Sequence, residues 1–295
     1  MKFSFVSLFT KLTLATSVAG ALVGCDEPTY PTPTPVTESS VGQARVLVVN
    51  AAPGSQGVTT QLDNQPFGAV APYLSNAAGT YTSVSAGLRL LLFNDLANIP
   101  ATPVVTPAPV PPLPVLTAPR TLVSRTAFLG GTNYTIFVTD LPTRAYANPV
   151  TATSDQGGIR LVTLTDNLAA PAVATNAKVR FVNLAPSGTY GIFNTATVSA
   201  GVSLFSAVPT RRFRDTFFNT PAVPPSTTPV TTTFANFTEV AAGAYKLDVR
   251  SAATTPLAGT RQDITLVAGK IYTLYVRGIA GNANTPLGVS LVTHN

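Results

Sequence analysis

The chain has no tryptophan, one cysteine, one histidine and one methionine in 295 residues, and only 10% of its residues are charged. Each shortage removes a class of chemistry. With Cys25 as the single cysteine no internal disulfide can form, so a domain must hold together on its apolar core alone. The only histidine, His294, sits next to the last position, where a fraying end is expected to be unable to hold a base in register with a nucleophile. Ser-His-Asp and Cys-His arrangements are thereby removed. Thiols and imidazoles are too few for a transition-metal site. Calcium would have to use Asp140, Asp155 or Asp166 with loop carbonyls, but no Asp-x-Asp-x-Asp ladder is present, and solvated turn aspartates account for all three. No Gly-x-Gly-x-x-Gly or Gly-Lys-Ser/Thr loop follows a strand, so nucleotides have no foothold. A paired-carboxylate glycosidase could draw its acids from distant strands, yet no pair stands out. The expectation is a non-enzymatic protein without metal or cofactor.

What is present begins with an address. Lys2 and Lys11 precede an uncharged stretch from Leu12 to Gly24 that ends in Leu22-Val23-Gly24-Cys25. A membrane-spanning helix needs about 20 apolar residues, and Lys11 leaves too few before Asp26-Glu27. The pattern resembles a bacterial lipoprotein signal, in which small residues seat the scissile bond and the cysteine thiol is acylated. Residues 1–24 are therefore expected to be a signal peptide and Cys25 the lipidation site, with two or more acyl chains giving stable anchoring. Asp26 after that cysteine resembles an inner-membrane retention signal in some lineages and accompanies surface export in others. Residues 25–42, with Pro28, Pro31, Pro33 and Pro35 alternating with threonine and tyrosine, read as an extended tether that lifts the folded part off the membrane. The tether and the later Pro-rich insertions favour an outer-membrane or surface location.

Removing Lys2 and Lys11 from the 18 basic residues leaves 16 against 12 acidic ones, a mild excess with scattered arginines. Nucleic acid is not an expected partner. Hydrophobic residues make up 45% of the chain, enough for cores, and abundant threonine, valine, proline and glycine favour strands and turns over helices.

The folded part repeats itself. Residues 44–53, Ala-Arg-Val-Leu-Val-Val-Asn-Ala-Ala-Pro, return as 177–186, Ala-Lys-Val-Arg-Phe-Val-Asn-Leu-Ala-Pro, with six of the ten positions identical. Tyr81 to Gly87 is echoed by Phe237 to Gly243, and Gly131 to Val138 by Gly269 to Val276. Three blocks in one order predict tandem domains, 43–170 and 175–295, with Pro-rich insertions at 99–119 and 209–229. Tyr245, Leu247 and Val249 alternate with Lys246, Asp248 and Arg250, and Val179 and Phe181 with Lys178 and Arg180, as expected of strands with one dry face. Gly87 and Gly243 fall where tight turns need positive φ. Short strands punctuated by Gly, Pro and Asn predict an all-β fold of two immunoglobulin-like β-sandwiches, with closed barrels as the alternative.

The three blocks, V-x-[VF]-V-N-x-A-P, [YF]-T-x-V-x-A-G and G-x-x-Y-T-[IL]-[FY]-V, resemble the extracellular family known as domain of unknown function 4397. The resemblance implies a secreted or surface-attached β-sandwich, often in tandem, with no assigned activity to carry over. Aligning Gly87 with Gly243 places Leu90 and Leu92 against Lys246 and Asp248, so the first copy's strand is apolar on both faces. Its outer face needs a cover, either the 99–119 insertion, the second domain or a partner, and a charge at Leu90 is expected to damage the domain.

The most distinctive polar cluster is Thr210 to Phe218, where Arg211, Arg212 and Arg214 interleave with Phe213, Phe217 and Phe218. Arg211, Arg212, Phe213 and Arg214 are the candidate ligand-binding residues, since Arg forks onto carboxylate or sulfate while an aromatic ring offers a stacking face. The alternative is that the phenylalanines tuck into the core while the arginines reach solvent or pair with Asp215. The sequence thus points to a membrane-anchored envelope protein that binds an extracellular protein or glycan, serves adhesion or gives structure. A carbohydrate-binding accessory of a glycan degradation or uptake system is the second reading.

Overall fold

The computed structural model describes residues 42–74, 79–96, 121–144, 157–196, 201–205, 207–220, 230–251 and 256–295. The leader, Cys25, residues 26–41 of the tether, Asp155 and the 99–119 insertion lie outside the described residues. Among the described residues no helix is long and apolar enough to cross a membrane.

The chain is all-β. The first copy of the repeat supplies β1 (Gln43–Asn50), β2 (Val58–Leu62), β3 (Gln65–Pro66), β4 (Thr82–Ser85), β5 (Gly87–Asp95), β6 (Thr121–Phe128), β7 (Asn133–Thr139) and β8 (Arg160–Asp166). The second supplies β9 (Asn176–Asn183), β10 (Gly191–Asn194), β11 (Val202–Ser203), β12 (Phe217–Thr220), β13 (Val230–Thr233), β14 (Thr238–Ala241), β15 (Gly243–Arg250), β16 (Gln262–Leu266), β17 (Ile271–Arg277) and β18 (Gly288–Thr293). Each copy is a sandwich of two four-stranded sheets. The first has orders β4-β1-β7-β8 and β3-β2-β5-β6, the second β14-β9-β17-β18 and β11-β10-β15-β16. Sheet for sheet the connectivity is the same, so the sequence repeat is a repeat of topology. One pairing in each copy is parallel, β1 with β7 and β9 with β17, while the other strand pairings are antiparallel. The part of the 209–229 insertion that is described contributes to a separate two-stranded ribbon, β12-β13.

Between the sheets lie two cores that match in position. Val46, Leu91, Phe93, Phe128, Ile136 and Val138 fill the first, and Val179, Phe181, Leu247, Val249, Leu274 and Val276 the second, all essentially inaccessible. Burying each such side chain is worth about 1.5–3 kcal/mol, which replaces what disulfides would otherwise contribute. Gly87 and Gly243 do take positive φ, 117° and 148°, with open space where a Cβ would go, so backbone conformation and not crowding selects glycine there.

A third apolar cluster fuses the copies. Leu47, Val49, Phe137, Val162 and Leu164 from the first pack against Val182, Leu184, Tyr275 and Val292 from the second. Residues 41–295 consequently form one compact unit. Phe137 and Tyr275, equivalent positions of the repeat, meet across this junction with ring centroids 5.5 Å apart. The same face of each copy is used, as in an isologous homodimer.

This junction overturns the expectation that alternating charges mark a wet face. Lys178 and Arg180 on β9 are 9% and 1% exposed, because the outer face of their sheet is the one that meets the first copy. On β15, Asp248 and Arg250 are likewise buried; they pair with each other at 3.6 Å, and the Arg250 guanidinium lies over the Phe193 ring. Leu90 and Leu92 are half-buried while Leu91 and Phe93 point into the core.

Candidate functional site

The polar residues that recur in both copies hold the fold. Asn50 ends β1, accepts a hydrogen bond from the Ala52 N–H at 3.0 Å and donates to the Ala71 carbonyl at 2.9 Å. Asn183 ends β9 and does the same, accepting from the Ala185 N–H at 3.0 Å and donating to the Arg211 carbonyl at 2.8 Å. In each case one amide satisfies backbone groups where the chain leaves the sheet, which is why the motif reads Val-Asn-x-Ala-Pro. Tyr134 and Tyr272 accept from the N–H groups of Leu129 and Val267 at 3.0 and 3.1 Å, pinning the β6–β7 and β16–β17 turns. A buried phenol that ties down a turn needs no ligand.

The densest polar cluster lies at the junction. Arg180 side-chain nitrogens donate to Asp166 Oδ1 at 2.5 Å, to Thr273 Oγ1 at 2.8 Å and to the Thr165 carbonyl at 2.9 Å. Asp166 Oδ2 accepts from Tyr81 at 2.8 Å and from Thr135 at 2.7 Å. His294 closes the network, its Nδ1 2.7 Å from Tyr81 Oη and its Nε2 2.7 Å from Thr273 Oγ1. Far from fraying, His294 is 4% exposed and its backbone N–H donates to Ile271. Burial pulls its pKa down to about 4, opposed by Asp166 and assisted by Arg180. Burial likewise raises the Tyr81 phenol, with Asp166 adding to the effect. The cluster resembles a catalytic constellation by residue type, yet every group in it already has a partner among the described residues. It is a lock between domains. Among the described residues no group of three or more histidines, cysteines or carboxylates is placed to hold a metal. Asp140 is held by Arg144 and Arg160 at 2.9 and 3.6 Å.

The four candidate ligand-binding residues share one turn but do not share surroundings. Arg214, at φ 64°, donates through Nη2 to the Leu161 carbonyl of the first copy at 3.0 Å. Arg212 is exposed, and its backbone N–H donates to Asp215 at 3.1 Å. Phe213 is half-buried. Arg211 is only 7% exposed. The alternative of phenylalanines inside and arginines outside holds for Arg212 but fails for Arg211, which is buried, and for Phe217 and Phe218 on the β12-β13 ribbon, which are 55% and 44% exposed.

Arg211 is sheathed by aromatic rings. Its guanidinium carbon is 3.8 Å from the Phe234 centroid, 4.9 Å from Phe181 and 5.1 Å from Phe205. One Nη donates to the Phe181 carbonyl, Nε has no hydrogen-bond partner, and among the described residues no carboxylate lies within ion-pair distance. Burial lowers its pKa to about 9, with Asp215 acting through space in the opposite sense, so it is a cation at neutral pH. Arg211 forms part of the wall of an open cavity of about 450 Å³, together with Leu204, Phe205, Thr232, Asn236 and Thr238. The phenylalanine cage was not legible in the sequence, because its rings come from β9, the stretch after β11 and the turn after β13.

No family model matches the chain, and no curated protein matches it. Among solved structures, a proposed cell adhesion protein from Parabacteroides distasonis is similar over 86% of this chain and 99% of its own, at 10% identity and a TM-score of 0.19. A proposed cell adhesion protein from Bacteroides eggerthii is similar over 86% of this chain and 95% of its own, at 9% identity and a TM-score of 0.17. The Bacillus anthracis TIE protein covers 82% of this chain over 51% of its own length, at 8% identity and a TM-score of 0.18. Backbone agreement at that level is slight.

Proposed function

We propose that the chain is a lipid-anchored, non-enzymatic protein of the cell envelope, displayed at the outer membrane or cell surface as a rigid binding, adhesion or structural module. The observation that carries this reading is the use made of the polar residues common to both copies. Asn50 and Asn183, and Tyr134 and Tyr272, are all consumed in backbone support. What the repeat preserves is architecture, as a scaffold requires and an active site does not. The same recurrence supports reading both halves, 43–170 and 175–295, as copies of one domain resembling domain of unknown function 4397. Leu22-Val23-Gly24-Cys25 supports lipid attachment at Cys25, and the proline-threonine run after it supports a spacer between membrane and sandwiches.

Two measurements test it together. Radiolabelled palmitate should enter the wild-type protein and be absent from Cys25→Ser. Protease added to intact cells should remove the folded unit, followed with antibody to the purified chain. Protection until the outer membrane is permeabilised would place the sandwiches in the periplasm and remove adhesion from the reading.

A further inference from the structure

The repeat offers a comparison inside one molecule. The backbone bridge Val58–Ala71 in the first copy corresponds to Tyr190–Arg211 in the second, and the signature asparagines donate to the carbonyls of these same residues, Ala71 and Arg211. Arg211 therefore stands where the first copy has alanine. Val48 likewise becomes Phe181, and Thr82 corresponds to Thr238 through their pairings with Val46 and Val179. Each copy has a cavity at this place: about 250 Å³ in the first, lined by Val46, Val48, Phe67, Ala71 and Thr82, and about 450 Å³ in the second. The first copy shows that the fold closes here without a charge, so architecture does not require the arginine. A desolvated cation has been added to a position that folds as alanine, at the wall of the larger cavity and without a countercharge in ion-pair contact.

We propose that the Arg211 cavity is a binding site for a hydroxylated carboxylate of the uronic-acid class. The guanidinium supplies the charge that a carboxylate would neutralise, and a charge-assisted hydrogen bond in a half-enclosed cavity is stronger than one at an open surface. Thr232, Asn236 and Thr238 add hydroxyl and amide groups for a ligand bearing hydroxyls. The phenylalanines hold the cation in place and leave no broad stacking platform, so recognition rests on charge and hydrogen bonding. The cavity falls within the volume range of small-molecule sites.

Isothermal titration of the purified full chain with sodium D-glucuronate, D-glucose and N-acetyl-aspartate tests this. Because it needs neither membrane nor cell, its failure leaves the anchoring and location proposed above untouched. Saturable binding of glucuronate, at least tenfold tighter than of either other compound, is expected. Arg211→Met should weaken it at least tenfold, Arg211→Lys about tenfold, and Arg212→Met, at the exposed neighbour, not at all. Glucuronate binding no tighter than glucose in the wild-type protein overturns the site, whatever the variants do. Undiminished binding in folded Arg211→Met moves it elsewhere, and preference for N-acetyl-aspartate overturns the sugar-acid assignment.

Discussion

Replacing Asp166 by alanine strips Arg180 of the one carboxylate that pairs with it among the described residues, at a place where both side chains have no exposure, 0% and 0%. Losing one partner of a buried ion pair costs about 3–5 kcal/mol, because the remaining charge stays desolvated. Tyr81 and Thr135 lose an acceptor in the same step, which favours the upper half of that range. At about 2–4 °C per kcal/mol for a unit of this size, the melting temperature should fall by roughly 8–20 °C. The informative comparison is the double variant Arg180→Met with Asp166→Leu. Leu47, buried in the same junction, occupies in the first copy the position that Arg180 holds in the second, so an apolar side chain fits that register. Removing both charges should cost well under half as much as removing Asp166 alone. Urea unfolding followed by circular dichroism and by tyrosine fluorescence, undisturbed since the chain has no tryptophan, measures all three proteins. A cost below about 1 kcal/mol for Asp166→Ala, or a double variant worse than the single, would show that the pair does not lock the junction.

Three further outcomes are expected. His294 has a folded pKa near 4, against the usual 6.5, so above pH 6.5 both states are neutral and stability is complete. As pH falls from 6.5 to 4 only the unfolded chain takes up the proton, and about 3 kcal/mol drains away; His294→Gln should flatten that decline in urea midpoints. Gly79→Ala combines a strained φ of +59° with a Cβ that overlaps the Thr293 carbonyl oxygen of β18, so it should lower the melting temperature more than Gly131→Ala, where φ is also positive but the space is open. Tyr134→Phe and Tyr272→Phe should each cost about 1 kcal/mol and add when combined, since they pin separate turns; strong non-additivity in chemical denaturation would count against that independence.

Periodicity and glycine placement made the sandwiches legible, since Val179, Phe181, Leu247 and Val249 face a core as alternation implies. Alternation cannot say what covers the other face. Lys178 and Arg180 read as solvated because nothing local reveals that the equivalent sheet of the first copy closes over them; that is a property of tertiary packing between segments far apart in sequence. The same blindness applied to His294, whose position near the end suggested fraying while β18, paired along β17, carries it into the junction. The arginine-rich turn attracted attention for composition, and composition alone could not separate Arg211, enclosed by three rings, from Arg212 in solvent. Only the structure aligns the copies at this point: its bridge residues set Arg211 against Ala71, a change from small and neutral to large and charged that lies outside the three repeated sequence blocks.

The face-to-face union of the copies also bears on presentation. Two separate chains meeting through such a face would part on dilution below their dissociation constant, but here the short segment 167–175 tethers them. Tethers of this length give effective concentrations on the order of millimolar. The junction therefore stays shut at any abundance, and the spacing between the cavity walled by Arg211 and the uncharged cavity of the other copy is the same in dilute and in concentrated protein.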